Sequence, residues 1–270
     1  MRLIIRHRTE YHYTAPCRYA IQTLRLTPRP HSGLAVHRWQ VRGETRRELP
    51  SHTDGYGNLV HMHTVDHLHA SAAIFVEGEV ETNDTGGVLS GLAETLPPVF
   101  FLRATPLTAP DPAIVALARD SLAATPLETA HRLMLTVRDR IDYRLGESDV
   151  TTPAAAALAA GAGVCQDHAH VFIAAARSLD IPARYASGYL CASAEGAEDA
   201  ACHAWAEAYI EHLGWVGFDP ANSVCPSDAY VRLAAGLDYN EAAPVRGLRR
   251  EGGEERLVVR VRVHQQTQQQ

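Results

Sequence analysis

The sequence predicts an α+β protein, in which a β-rich N-terminal part precedes a group of helices and a second antiparallel sheet. Residues 1–82 alternate apolar and polar side chains with a period of two, which is typical of antiparallel strands. From residue 111 the apolar spacing becomes helical, and beyond residue 182 it returns to strand alternation. Strands and helices that are segregated along the chain in this way favour the α+β class.

The composition excludes several classes of protein. The chain has 270 residues, 46% of them hydrophobic and 21% charged, which is typical of a soluble globular protein with one large or two ordinary domains. A net charge of −6 argues against a basic surface for nucleic acid. We find neither a signal peptide nor an apolar run of the roughly 18 residues that a membrane helix needs. We therefore expect no nucleic-acid and no membrane partner.

The first predicted domain covers residues 1–82 and is an antiparallel sheet or sandwich. Leu3-Ile4-Ile5 opens a strand, and Asp54-Gly-Tyr-Gly-Asn58 forms a turn. Further strands are predicted at 21–27, 36–42, 58–65 and 71–82. Residues 83–112 hold a Gly-rich turn and five prolines, which indicates a connector between domains.

The second predicted domain, a catalytic core, covers residues 113–245. Its helices are expected at about 111–122, 126–141, 153–160 and 166–179, and its strands at about 182–192, 202–210 and 214–219. A C-terminal strand is predicted within 246–264, where Leu257–Val263 alternates cleanly, and the N-terminal sheet is one placement for it. The Gln-rich tail 265–270 is predicted to be disordered.

Cys165 is the predicted nucleophile. It lies where the loop Gly161-Ala-Gly-Val164 enters a helix, and the partial positive charge of a helix N-terminus stabilises a thiolate. The five cysteines, at positions 17, 165, 191, 202 and 225, are odd in number and lack the spacing of a disulfide scaffold. We therefore expect free thiols and a cytoplasmic, reducing compartment.

His203 and Asp219 are the predicted base and its orienting carboxylate. They lie 16 residues apart in two segments that alternate as strands and that a turn near Glu211–Gly214 would join as a hairpin. Neighbouring strands are roughly 5 Å apart, so the two side chains can meet if they share a face. Asp219 would then fix the imidazole tautomer and leave the other ring nitrogen for Cys165.

The sequence resembles the bacterial transglutaminase-like proteins. The matching motifs of the core are Gly163-Val-Cys-Gln-Asp-His-Ala-His170, Ile181-Pro-Ala-Arg-Tyr-Ala-Ser-Gly-Tyr189, His203-Ala-Trp-Ala-Glu-Ala-Tyr209 and Gly214-Trp-Val-Gly-Phe-Asp-Pro-Ala-Asn222. In the β-rich part they are Tyr11-x-Tyr13, Leu24-Arg-Leu-Thr-Pro28 and Asp54-x-x-Gly57-Asn58. The resemblance implies a papain-like core with Cys165, His203 and Asp219 as catalytic residues.

Several neighbouring residues are weaker candidates. Gln166 is a candidate oxyanion donor, and Trp205 and Tyr189 are candidate walls of the substrate cleft. Asp167 is expected to complement the helix dipole, and packing roles are expected for His168, His170, Trp215 and Phe218. Asn222 is expected to support the Asp219 turn, and the loop 193–201 to contribute to specificity.

His61, His63, His67 and His69 form a weak candidate metal cluster. Alternate positions on a strand share a face, so each pair could offer ligands to Zn²⁺ or Cu²⁺. The polar face of a hairpin is the favoured explanation of the run. The predicted chemistry needs no cofactor.

Three functions are compatible with these residues. The first is cysteine-dependent cleavage of a peptide or isopeptide bond in a peptide or protein substrate, through a thioester. The second is an acyltransferase that passes the acyl group of a protein glutamine to an amine. The third is a binding or scaffold protein with a degenerate site, against which the intact triad argues. Hydrolysis is favoured because water is always present. The sequence does not indicate the oligomeric state.

Overall fold

The computed structural model describes residues 1–44, 48–191 and 202–265. The strands are β1 (Arg2–Thr27), β2 (Leu34–Gly43), β3 (Ser51–Thr53), β4 (Leu59–Val65), β5 (His69–Thr82), β6 (Val88–Leu89), β7 (Asp142–Tyr143), β8 (Ala162–Gly163), β9 (Ala183–Leu190), β10 (Cys202–Ile210), β11 (Gly214–Phe218), β12 (Tyr230–Gly236), β13 (Val245–Glu251) and β14 (Glu255–Gln265). The helices are α1 (Pro112–Asp120), α2 (Pro126–Arg140), α3 (Ala154–Ala160), α4 (Cys165–Ser178) and α5 (Tyr239–Ala242), with a 3₁₀ helix at Pro98–Leu102. With 21% helix and 46% strand, the protein is α+β, as the sequence predicts.

Strand β1 is the spine of the N-terminal sheet. It runs unbroken for 26 residues, where the sequence predicts two shorter strands, because buried and exposed side chains alternate along most of its length. Its first half pairs with β5 on one edge and β14 on the other, and its second half pairs with β4 and β13. Strands β4 and β5 therefore follow one another along a single edge of β1.

Both ends of the chain build this sheet. Strand β14 pairs in antiparallel register with β1 from Leu3 to Tyr13, which is the placement considered for the predicted C-terminal strand. The turn between β13 and β14 contains Gly252 and Gly253, both with positive φ angles of 102° and 64°, a backbone region that glycine adopts without steric cost. Strand β12 is not predicted from the sequence, and the region 246–264 that was predicted as one strand forms two, β13 and β14.

The second sheet carries the core. Its strand order is β12-β9-β10-β11-β6, all antiparallel, and helix α4 packs against β9 and β10. The helix is buried along almost its whole length, from Gln166 to Arg177, because α1, α2 and α3 cover the sides that the sheet leaves open. A rigid, centrally placed helix thus fixes the position of its first residue, Cys165.

Residues 83–112, predicted as a connector, are packed into the structure. Strand β6 extends the second sheet by pairing with β11, and Phe101 is buried against Trp215 in a small apolar cluster. Glu94 forms an ion pair of 2.8 Å with the buried Arg184 on β9. The prolines of this segment therefore lie in a loop that these contacts anchor to the core, and not in a free linker.

The two sheets share an apolar core. Leu3, Ile5 and Val80 of the first sheet belong to the same buried cluster as Tyr189 and Leu233 of the second. The parts that the sequence separates as two domains are consequently one packed body at this interface. In the part of the chain that the structure describes, no helix is long and apolar enough to cross a membrane.

Candidate active site

Cys165 is the first residue of helix α4 and is half-buried. The Asp167 carboxylate stabilises this end of the helix, since its Oδ2 accepts hydrogen bonds from the Val164 N–H at 2.7 Å and the Ser148 hydroxyl at 2.5 Å. A Cβ atom at position 163 would lie 2.6 Å from the same Oδ2, so only glycine fits there. This role of Asp167 agrees with the prediction that it complements the helix N-terminus.

His203 and Asp219 are in direct contact. Nε2 of His203 lies 2.6 Å from Oδ2 of Asp219, and the carboxylate is fully buried. Strands β10 and β11 are antiparallel neighbours with Ala206 opposite Phe218, a register that brings the odd-numbered side chains of the two segments to one face. The predicted hairpin therefore exists, and it leaves Nδ1 of His203 for Cys165.

Two further groups hold the Asp219 carboxylate. The Tyr230 hydroxyl and the Asn222 amide each donate a hydrogen bond of 2.7 Å to its Oδ2. Burial by itself raises the pKa of Asp219, but the hydrogen bonds from His203, Tyr230 and Asn222 outweigh burial and hold the pKa below its ordinary value. Asp219 is therefore an anion at neutral pH. The expected support from Asn222 is observed, whereas Tyr230 lies on β12, which the sequence did not indicate.

His203 also interacts with the nearby Cys165 side chain. Burial by itself lowers the pKa of His203. The interactions with Asp219 and Cys165 together outweigh burial and raise the pKa to about 10. The imidazolium is then the resting form at neutral pH. A cation beside the sulfur, at a helix N-terminus, favours the thiolate form of a cysteine.

Tyr143 is a site residue that the sequence analysis missed. Burial, together with the charges of the nearby Cys165 and Asp219, raises the pKa of its phenol. Strand β7 positions it, because Tyr143 pairs in parallel with Gly163 and the next N–H, of Arg144, donates to the Gly163 carbonyl at 2.8 Å. The two-residue ladder is too short to produce a periodic signal in the sequence, so no pattern could have indicated it.

The two residues predicted to be walls of the substrate cleft, Tyr189 and Trp205, are buried. Tyr189 is fully buried, and its hydroxyl lies 2.8 Å from Nδ1 of His7 within the core shared by the two sheets, so its assignment to the cleft is wrong. The reason is that its end of β9 packs against the N-terminal sheet. Trp205 is 2% exposed and stacks behind His203, with ring centroids 6.4 Å apart. It supports the base from behind and lines a small cavity of about 40 Å³.

The remaining candidate residues are packed as the sequence predicts, and only the oxyanion role of Gln166 stays untested. Trp215 and Phe218 are buried in apolar clusters. His168 is buried with its ring nitrogens 2.9 Å from the carbonyl oxygens of Val164 and Ile141, and Nε2 of His170 accepts from the Tyr239 N–H. Gln166 is buried as the second residue of α4, and its oxyanion role stays a prediction. The predicted specificity loop 193–201 lies outside the described residues, as does most of the Gln-rich tail.

The histidine run does not form a metal site. His61 lies opposite Leu24 on β1 and His69 opposite Cys17, because β4 and β5 continue along one edge instead of folding into a hairpin. The His63 ring is buried and bonded to the Gln22 amide at 2.9 Å. Within residues 1–44, 48–191 and 202–265, no group of three or more His, Cys, Asp or Glu side chains could hold a metal ion.

Comparison with known families matches both parts of the chain. Residues 115–220 match the model of the transglutaminase-like superfamily, and residues 3–81 match that of the bacterial transglutaminase-like N-terminal region. Residues 115–220 are therefore a transglutaminase-like core, and residues 3–81 ahead of it are a bacterial transglutaminase-like N-terminal region.

Individual relatives cover almost the whole chain. An uncharacterized protein of Mycobacterium leprae is 27% identical over 92% of each chain, and an uncharacterized protein of Mycobacterium tuberculosis is 28% identical over 90% of this chain and 86% of its own. A crystal structure from Cytophaga hutchinsonii, described as a candidate cysteine protease, has a TM-score of 0.75 at 20% identity and covers 98% of this chain and 90% of its own. That likeness shows a common fold.

Proposed function

We propose that the protein is a thiol hydrolase that cleaves a peptide or isopeptide bond through a thioester at Cys165. The observation that carries the proposal is the position of His203, which is hydrogen-bonded to Asp219 and interacts with the nearby Cys165 side chain. A nucleophile, a base and an orienting carboxylate in this order are the elements of covalent acyl transfer.

The first half of the reaction forms the thioester. The Cys165 thiolate attacks the amide carbonyl carbon and gives a tetrahedral oxyanion. The C–N bond then breaks as the His203 imidazolium donates its proton to the leaving amine. Asp219 stays ionised and holds the ring in place.

The second half releases the acid. Neutral His203 takes a proton from water, the hydroxide attacks the thioester carbonyl, and the C–S bond breaks to return the thiolate. The His203 imidazolium is restored in the same step. Protons and electrons balance without a further reactant.

Two donors are available for the oxyanion. The N–H of Cys165, at the first turn of α4, has no partner within the helix, because the first four N–H groups of a helix are free. The second donor is the Tyr143 hydroxyl, which already contacts the sulfur and is on a half-exposed side chain. A hydrogen-bond donor that is already in position for the oxyanion typically contributes a factor of about 10²–10³ to the rate.

The same thioester would serve an acyltransferase, so water and amine must be compared directly. The chain has no lysine, and all its 25 Lys or Arg cations are arginine, so self-crosslinking could use only the amine of its own N-terminus. We expect fluorogenic peptides to be hydrolysed with and without millimolar cadaverine. A product that carries cadaverine in place of acid would establish the transferase instead.

The decisive experiment compares wild type with Cys165→Ala on a peptide library, with Cys225→Ala as a matched control for another half-buried cysteine. Turnover should fall to background only in Cys165→Ala. In parallel, iodoacetamide should label Cys165 faster than the other four cysteines near neutral pH. Equal labelling rates, with no turnover, would support the binding or scaffold function and reject the hydrolase. A reducing compartment such as the cytoplasm belongs to the proposal, since the thiolate must stay unoxidised.

A further inference from the structure

A cavity of about 220 Å³ lies where three parts of the chain meet. Arg29 and Tyr56 line it from the N-terminal region, residues 91–94 line it from the loop after β6, and Arg184 and Arg232 line it from the second sheet. The three triad residues do not belong to its walls. The cavity is therefore a feature separate from the candidate active site.

Two buried arginines form part of these walls. Arg184 is 2% exposed and Arg232 is 8% exposed, and each is paired at 2.6 Å with the fully buried carboxylate of Glu207. Glu94 accepts hydrogen bonds of 2.8 and 3.1 Å from the two Nη atoms of Arg184. Arg232 uses Nε and Nη2 on Glu207, so its Nη1 has no partner among the residues that the structure describes. A buried arginine that lines the cavity therefore has a nitrogen free for a ligand.

Arg29 adds a third positive charge to the walls. Its side chain is half-buried and forms no hydrogen bond or ion pair within residues 1–44, 48–191 and 202–265. Asp54, in the turn that carries Tyr56, is already paired with Arg25 at 3.3 Å. Around the cavity, three arginines thus face two glutamates, Glu94 and Glu207, which leaves one positive charge uncompensated. Because a partly buried charge is costly without a counter-charge, an anion is the ligand that this cavity favours.

We propose that the cavity binds a small oxyanion, a carboxylate or a phosphoryl group, between Arg29 and Arg232. Guanidinium groups match the oxygen geometry of both anions and bind them through paired N–H donors. The volume of about 220 Å³ is below the roughly 300–1,000 Å³ of sites for drug-sized ligands, so a small ion fits better than a large molecule. Since the walls come from three parts of the chain, the bound anion links the N-terminal region to the core. The site goes beyond the proposed hydrolase and does not depend on it.

The test is thermal unfolding and isothermal titration calorimetry of the full chain at neutral pH, with inorganic phosphate or succinate as the probe. Each probe is compared with sodium chloride at the same ionic strength. Wild type should show a saturable rise in Tm with at least one probe, beyond the effect of chloride, because a ligand that binds only the folded state stabilises it. Phosphate binding alone would assign a phosphoryl ligand, and succinate binding alone would assign a carboxylate. No saturable binding of either probe would overturn the proposal.

Arg29→Gln should weaken the affinity about 10-fold or more, the usual contribution of a hydrogen bond to a charged group. Arg38→Gln is the matched control, because Arg38 is exposed on β2 and does not line the cavity. It removes the same charge and should keep the affinity within about 2-fold, since an exposed charge is screened by salt.

The anion-free proteins distinguish a binding role of Arg29 from a structural one. Without an anion, Arg29→Gln should be at least as stable as wild type, because the substitution removes repulsion among the three arginines. Arg29→Gln that is less stable without an anion, and that gains as much from the probe as wild type, would make Arg29 structural and overturn the site. Labelling of Cys165 by iodoacetamide should be the same in wild type and in both variants, so failure of the anion site leaves the hydrolase proposal unaffected.

Discussion

At the scale of single residues, the proposed reactivity of Cys165 depends on groups from three separate parts of the chain. Helix α4 supplies the sulfur, β10 supplies His203, and β7 supplies Tyr143. The sulfur would not react in this way without the other two groups, because the thiolate needs a nearby cation and the oxyanion needs hydrogen-bond donors that are already in position.

Tyr143→Phe should lower kcat for peptide cleavage between about 10- and 100-fold with little change in KM, because a donor to the oxyanion acts mainly in the transition state. Burst kinetics with a fluorogenic peptide would measure the acylation step directly. Tyr19→Phe is a suitable control, since Tyr19 is a partly exposed residue of β1. An unchanged acylation rate in Tyr143→Phe would remove the phenol from the mechanism.

The His203–Asp219 pair should make stability depend on pH in a defined direction. The pKa of His203 is raised from 6.5 to about 10, so the stabilisation is complete below pH 6.5 and is lost as the pH rises through about 10. Urea unfolding of wild type and His203→Gln between pH 6 and 10.5 would measure it. The difference in free energy of unfolding should be largest at pH 6 and shrink toward pH 10.5. A difference that is constant over this range would contradict the raised pKa.

At the scale of elements, the start of α4 is held by close packing between a glycine and a carboxylate. A Cβ at position 163 would meet Oδ2, Cβ and Cγ of Asp167 at 2.6–2.8 Å, all on a fully buried side chain. Asp167 cannot move away without losing its bond to the Val164 N–H. The same packing therefore fixes both the helix end and the Cys165 backbone.

Gly163→Ala should lower the free energy of unfolding by about 2 kcal/mol, as overpacking in a core commonly does, and should reduce activity at the same time. Thermal unfolding and kcat/KM measure the two effects. Gly55→Ala is the matched control, because a Cβ there meets nothing within 4 Å. Equal stabilities of the two variants would show that the α4 terminus tolerates a larger residue.

At the scale of the whole molecule, the two sheets are joined by a common core. Leu233 on β12 is 1% exposed and packs in the same cluster as Leu3 and Ile5 of β1. Strands β13 and β14 then carry the chain back onto the first sheet. We expect the protein to unfold in a single cooperative transition, since the apolar cluster between the sheets contains residues of both and is lost if either sheet unfolds.

Leu233→Ala should lower the free energy of unfolding of the entire molecule by about 3 kcal/mol through the cavity it leaves. Differential scanning calorimetry should show one transition at a reduced temperature. Leu135→Ala, at a leucine 49% exposed on α2, should change stability by less than about 0.5 kcal/mol. Two resolved transitions in wild type would contradict the shared core.

Features that depend on neighbours in the sequence were predictable. The capping box of Thr125 and Glu128 starts α2, and period-two alternation predicts β10 and β11 within a residue of their observed ends. Cys165 at a loop-to-helix junction could be recognised from the glycines before it. His203 and Asp219 could be placed together because a hairpin is a local structure.

Contacts between distant segments were decided only by the tertiary structure. The sequence could not show that Tyr143 meets Cys165, because a two-residue parallel ladder leaves no periodic pattern. It could not show that β9 turns Tyr189 into the N-terminal core, or that β4 and β5 run along one edge of β1 and keep the four histidines from converging. Local sequence thus determined the helices, most of the strands and the chemistry offered by Cys165, His203 and Asp219. The packing of the two sheets decided what surrounds that chemistry, because burial and distance are properties of residues far apart in the chain.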